Sequence, residues 1–245
     1  MSQPEPKDKS PYHELAKKNN LQIDFRPFIQ VEGVSGKDFR QQKITLLDFS
    51  AVIFTSRKAV DHYFRIAKEL RISIPDEMKY FCINEATAYY LQKYITFRKR
   101  KIFHGNVKFE DLIPLIQKHK SEKFLLPQSD VHKDEVGNIL EKSKVSFTPV
   151  TMFRTVSSDL TDLTDFNYDV LVFFSPSGIK SLFHNFPGFD QRETKIASFG
   201  AATATAVNEA GLRLDIQAPS PENPSMAMAL EAYISRFNKE VIKKK

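Results

Sequence analysis

The chain has 245 residues, 41% hydrophobic and 12% aromatic, enough to bury one large core or two modest ones. No apolar run approaches the roughly 18 residues of a membrane span, and no charged-then-apolar leader opens the chain, so a cytoplasmic protein with no membrane partner is expected. The formal charge of +6 gathers in Arg98–Lys101 and the terminal Lys243–Lys245; it suits an acidic ligand, while the lack of aromatic-interleaved basic motifs argues against a nucleic-acid partner.

Met1–Pro4 is turn-like, and a helix over Pro11–Asn19 with Ser10 as its cap follows at once. An α/β domain usually opens on a strand. Unless the chain was trimmed, the sheet to which this end belongs is expected to lack a central or near-central strand. Leu21–Val31 reads as extended, with Pro27 kept out of any central ladder. Lys37–Leu47 reads as a weak helix.

Ala51–Val60, AVIFTSRKAV, is the first informative phrase. It gives an apolar strand, a serine at the turn (Ser56) and a helix with Val60, Phe64, Ala67 and Leu70 at helical spacing. Lys79–Leu91 supplies another strand, a tight turn at Asn84 and a small-residue helix with Thr87 in its first turn. Cys82 falls mid-strand and reads as a buried, inert thiol. Past the basic loop come a strand at Lys101–Phe103, a helix at Phe109–Lys118, a strand at Lys123–Leu126, a turn at Pro127–Asp130 and a helix at Val131–Lys142. Val145–Val156 is a second long extended piece, broken by Pro149.

After a polar loop over Asp159–Asn167, Val170–Gly178 (VLVFFSPSG) restates the first phrase. Five apolar residues suit a parallel strand covered on both faces, Ser175 takes the cap position, and Pro176 takes the first helical position. Lys195–Val207 then restates the second phrase, with its turn at Gly200 and Thr203 in the first turn of its helix. The Ser56–Thr87 and Ser175–Thr203 separations differ by only three residues. That is a duplicated α/β unit. A strand at Leu214–Gln217, a proline-rich loop and a helix from Ser225 to about Asn238 finish the chain.

The expected fold class is α/β: two related flavodoxin-like, doubly wound parallel-sheet domains joined by two extended connector strands. Residues 36–145 form an inserted domain, 1–24 with 157–245 a discontinuous outer domain, and 25–35 and 146–156 the connectors, which act as a paired hinge. Each strand-to-helix turn aims free N–H groups out of a sheet's carboxyl edge, where an α/β protein holds anions. The same turn serves equally well as a mere connection, and its serine as a mere cap; both readings stay open here. His13, His62, His104, His119, His132 and His184 show no ligand spacing with Cys82 or one another, and no glycine-rich nucleotide fingerprint is present.

The phrases FTSRKAV (Phe54–Val60), FFSPSG (Phe173–Gly178), IASFGAATATAVNEAGL (Ile196–Leu212) and APSPENPSMAMAL (Ala218–Leu230), in this order, resemble the uroporphyrinogen-III synthase family nearly end to end. The resemblance implies closure of the linear octacarboxylate hydroxymethylbilane to uroporphyrinogen III, with inversion of the last ring through a spiro intermediate, in a cleft between the domains of a monomer. It implies Thr203 as a catalytic residue. For substrate binding it implies Thr55, Ser56, Arg57, Lys58, Thr87, Ser129, Ser175, Ser177, Gly178, Gly200 and Ala202, with no cofactor or metal. Three positions depart from the family pattern: Phe153 replaces a tyrosine able to protonate the leaving hydroxyl, Ala202 replaces the first of two threonines, and Asn84 replaces a glycine. Phe153, Ala202 and the short amino terminus motivate an alternative, a synthase-like module that binds tetrapyrroles or other polyanions with little or no turnover. A nucleic-acid adaptor acting through Arg98–Lys101 is a third reading.

Overall fold

Every residue of Ala51–Phe54 (β2) is buried, as befits a parallel strand covered on both faces. The computed structural model describes residues 1–106, 108–131, 135–163 and 167–243. The chain divides into two compact units, residues 31–155 and residues 1–30 with 156–245. His132 and the start of the helix expected at Val131–Lys142, part of the Asp159–Asn167 loop, and the last two lysines lie outside the described residues.

In the unit of residues 31–155, β2 pairs in parallel with Lys79–Cys82 (β3) and with Phe124–Ser129 (β5). Ile102–His104 (β4) continues the sheet beside β3, and Phe147–Ser157 (β6) beside β5. Ile29–Gly33 (β1) closes the other edge, giving the order β1-β6-β5-β2-β3-β4. Backbone bonds from Val34 to Met152 and from Ser158 to Phe28 show that β1 runs antiparallel to β6. The five parallel strands, β2 to β6, reverse direction of winding between β2 and β5. That reversal makes a topological switch point, the place where open α/β sheets bind ligands.

Strand alternation sorts side chains into two cores. Val52, Phe54, Tyr80 and Cys82 pack on one face with Tyr63 and Ile66 of Arg57–Glu69 (α3), while Ala51, Ile53, Phe81 and Leu126 pack on the other. Gly36–Gln41 (α2), Glu85–Tyr90 (α4), Ile113–Lys118 (α5) and Glu135–Lys142 (α6) complete the unit.

Two expectations are corrected at prolines. The turn at Pro127–Asp130 is absent because β5 runs on to Ser129; its register with β2 ends at Leu125, so Pro127 pairs only toward β6 and interrupts no central ladder. Likewise β6 runs unbroken through Pro149, which pairs with Leu126 in a stretch beyond the reach of β1. Most of Leu21–Val31 is irregular, only its end joining β1. The helix expected at Phe109–Lys118 begins as a 3-10 turn over Phe109–Leu112.

The second unit holds Val170–Phe173 (β7), Lys195–Phe199 (β8) and Leu214–Ala218 (β9), all parallel, in the order β7-β8-β9. Pro176–Asn185 (α7) and Ala201–Glu209 (α8) cover one face, where Leu171, Phe173, Leu182 and Val207 pack. Pro11–Asn19 (α1) and Met226–Lys243 (α9) cover the other, where Leu15, Val172, Ile216 and Leu230 meet. The chain start runs beside β7, where the Ser2 N–H donates to the Val172 carbonyl at 2.9 Å. Among the described residues no helix is long and apolar enough to cross a membrane.

Candidate functional site

The turn from β2 to α3 is built by Ser56. Its backbone is extended (φ −162°), and its hydroxyl accepts from the Ala59 N–H at 3.1 Å. Thr55 and Ser56 are half-buried, Arg57 and Lys58 are exposed, and the first turn carries no acidic residue. The turn from β7 to α7 has the same construction. Ser175 (φ −156°) accepts from the Gly178 N–H at 3.3 Å, Pro176 opens the helix, Ser177 is half-buried, and again no acid is present. Gly178 packs closely: a Cβ there would lie 3.2 Å from the Phe173 ring, which would have to give by a few tenths of an ångström.

The other two turns reach one end by different means. Asn84 (φ −150°) caps α4 by accepting from the Thr87 N–H at 2.9 Å, so this turn requires no glycine. Thr87 is buried and Glu85 stands in the first turn. Gly200 has φ +87°, a conformation costly to any residue with a Cβ, and it offers α8 no side-chain cap. The first N–H groups of α8 therefore stay open to an acceptor. Ala201 and Ala202 beside it are exposed, whereas Thr203 is only 2% exposed.

Each unit thus sets two helix starts after adjacent parallel strands, on one carboxyl edge. Three of the four carry no carboxylate in the first turn, which leaves the positive ends of the α3, α7 and α8 dipoles uncompensated. Ser129 ends β5 at the switch point, but its hydroxyl donates to Asp130 at 3.0 Å, so an acidic group stands beside it.

The model of the uroporphyrinogen-III synthase HemD family matches residues 10–228. The chain belongs to the uroporphyrinogen-III synthase family. Among solved structures, uroporphyrinogen-III synthetase from Helicobacter pylori 26695 is similar over 89% of this chain and 96% of its own, at 20% identity and a TM-score of 0.55. A mutant uroporphyrinogen III synthase from the extremely thermophilic bacterium Thermus thermophilus aligns over 96% and 94%, at 16% identity and a TM-score of 0.45. No curated protein matches the chain. The Helicobacter likeness shows a shared fold, α/β with parallel sheets.

Two groupings in this family member escaped sequence reasoning. The Asp61 carboxylate accepts from Tyr90 at 2.9 Å, from Lys93 at 3.0 Å and from Tyr94. The Arg57 guanidinium lies over the Tyr90 ring, 5.5 Å from its centroid, so the same network braces a candidate binding residue. Burial pushes the Asp61 carboxyl upward, but the bonds from Tyr94, Lys93 and Tyr90 outweigh it and hold the group below the usual carboxylate range. Spacing within α3 offers a weak clue, because Arg57 and Asp61 are one turn apart, but nothing in sequence ties them to Tyr90.

The second grouping is His62, stacked on Phe153 with ring centroids 5.0 Å apart and planes 21° from parallel. Arg65 Nε donates to His62 Nδ1 at 3.3 Å. Among the described residues no three His, Cys, Asp or Glu side chains gather as a metal-ligand group. Cys82 is fully buried, and burial pushes its thiol up to about 12.

Proposed function

We propose that this member of the family is a working uroporphyrinogen-III synthase, converting hydroxymethylbilane to uroporphyrinogen III as a cofactor-independent hydro-lyase, cytoplasmic and monomeric. The observation that carries the proposal is the set of duplicated helix starts, three of them free of first-turn acids, on carboxyl edges of parallel sheets. The substrate has eight carboxylates. Each helix start holding one contributes about 0.3–1 kcal/mol, and up to ~2 kcal/mol where partly buried.

In this reading the substrate is taken up at the carboxyl edges of the parallel sheets. Its carboxylate arms are held by the turns at Thr55–Lys58, Asn84–Thr87, Ser175–Gly178 and Gly200–Thr203, with Ser129 at the rim. Hydroxide leaves the first ring as water, and the substituted carbon of the last ring attacks the resulting azafulvene. The spiro intermediate opens and the last ring recloses the other way round. The protein contributes mostly orientation, which is worth many kcal/mol when reacting atoms are held in a near-attack geometry. Thr203, the third residue of α8, acts from the floor of its turn, as its burial requires.

The experiment is incubation with enzymatically generated hydroxymethylbilane, oxidation and separation of the isomers. Type III product supports the proposal and purely spontaneous type I product removes it. Phe153, which has no proton to give, favours a second reading as a binding module without turnover. That reading predicts stabilisation by porphyrinogen carboxylates together with type I product only.

A further inference from the structure

We propose that Tyr90 and Asp61 are positioning residues for Arg57, seating its guanidinium and keeping it free of a counter-ion so that it takes a carboxylate arm of the substrate. The inference rests on the reading of the chain as a synthase.

Arg57 is the first residue of α3, and Asp61 stands one turn on, at the spacing where opposite charges usually pair along a helix. Here they do not. Both Asp61 oxygens accept from the Tyr90 hydroxyl, at 2.9 and 3.0 Å, and one also accepts from Lys93 at 3.0 Å and from Tyr94. Donors from the end of α4 and from just beyond it thus occupy the carboxylate. Glu69, the other acid of α3, lies at the far end of the helix and accepts from Arg65 at 2.8 Å. Among the described residues no carboxylate forms an ion pair with Arg57.

A ring holds the guanidinium instead. Its carbon lies 5.5 Å from the Tyr90 centroid, within the range at which a cation is drawn to an aromatic face. The Tyr90 ring is fixed in turn: its hydroxyl donates to Asp61 and accepts from Lys93 at 3.1 Å, and Lys93 Nζ stands 5.2 Å from its centroid. Tyr94 ties the group to the core, stacked on Phe64 with centroids 4.6 Å apart and planes 7° from parallel. A guanidinium attracted by a ring, and not by a carboxylate, keeps its N–H donors for a ligand, and a planar fork suits a carboxylate's two oxygens. Arg57 is exposed, so a ligand can reach those donors.

The duplicated turn has no such device. With Ser175 in the place of Ser56, Pro176 and Ser177 take the places of Arg57 and Lys58, and neither carries a charge. The arginine grip is therefore peculiar to the unit of residues 31–155. Charge-assisted bonds to a carboxylate are about twice as strong as neutral ones, so the arm taken at this turn is the more firmly held of the two. Arg57 supplies binding that is the same before and during reaction, which shows in KM and leaves kcat alone.

The test is a double-mutant cycle of Arg57→Ala and Tyr90→Leu, with Arg57→Lys alongside, scoring KM for hydroxymethylbilane, kcat for type III product and melting temperature. Arg57→Ala is expected to raise KM about fivefold with kcat unchanged. Tyr90→Leu is expected to raise KM about threefold when Arg57 is present and to add nothing when Arg57 is already replaced. Arg57→Lys, which keeps the charge and loses the fork, is expected to raise KM as well. An unchanged KM in Arg57→Ala overturns the inference. So do additive effects in the cycle, or a Tyr90→Leu variant that loses melting temperature with KM unchanged, since Tyr90 is then structural only. Should Tyr90→Leu unfold, Arg57→Lys decides: a KM equal to that of wild type means that charge alone suffices and overturns the positioning, and a raised KM supports it. These outcomes leave the synthase reading standing wherever wild type makes type III product. Type I product alone from wild type overturns both.

Discussion

Ser56 and Ser175 make the same bond in separate units, each hydroxyl accepting the N–H three residues on, from Ala59 at 3.1 Å and from Gly178 at 3.3 Å. Removing either cap leaves an N–H without its acceptor at a strand-to-helix turn. We expect Ser56→Ala and Ser175→Ala each to cost about 1 kcal/mol, read as a shift in urea midpoint at unchanged slope. Ser→Gly at the same positions costs only a few tenths.

Those two turns were legible because everything that makes them is local: an apolar strand, a serine and a helical stripe within about ten residues. The same holds for α1, where Ser10 caps a helix that runs Pro11–Asn19 as its pattern implies. Legibility fails where a neighbouring strand decides. Pro127 and Pro149 read as breaks, yet both lie within strands, because the ladder on one side has already ended. It fails also for groupings across the sequence. His62 and Phe153 are far apart along the chain, and no periodicity links them; nor does any link Asp61 with Tyr90 and Tyr94. The strand-to-helix turns were therefore readable, and the side-chain groupings beside them were not.

Thr203 tests whether a buried turn residue serves turnover or only folding. It is 2% exposed in the first turn of a helix whose start has no side-chain cap. We expect Thr203→Ala to lower type III turnover more than tenfold while costing about 1 kcal/mol or less in stability. An equal fall in melting temperature with unchanged specific activity would make it a structural residue alone.

Cys82 is fully buried, with its thiol pushed up to about 12 by burial. In the folded protein it should stay unmodified by aromatic disulfide reagents at neutral pH, and react fully in denaturant. Rapid labelling of the native protein would show that β3 opens readily.

Asp61 carries a pH prediction. Its folded carboxyl is held below its ordinary value, so its stabilising contribution is complete above the unfolded value of about 3.9 and fades as pH falls through the folded one. Asp61→Asn should be less stable than wild type at neutral pH by about 1 kcal/mol or less. The difference should close as acid is added, as followed by denaturant midpoints across the acid range. A gap that stays constant with pH would contradict the network as described.

The most direct measurement of the central claim is the isomer ratio formed from hydroxymethylbilane as protein is titrated against a fixed substrate supply. The type III share should climb from the spontaneous type I baseline toward exclusive type III product as protein increases. A ratio that stays at the baseline at every protein concentration would contradict it.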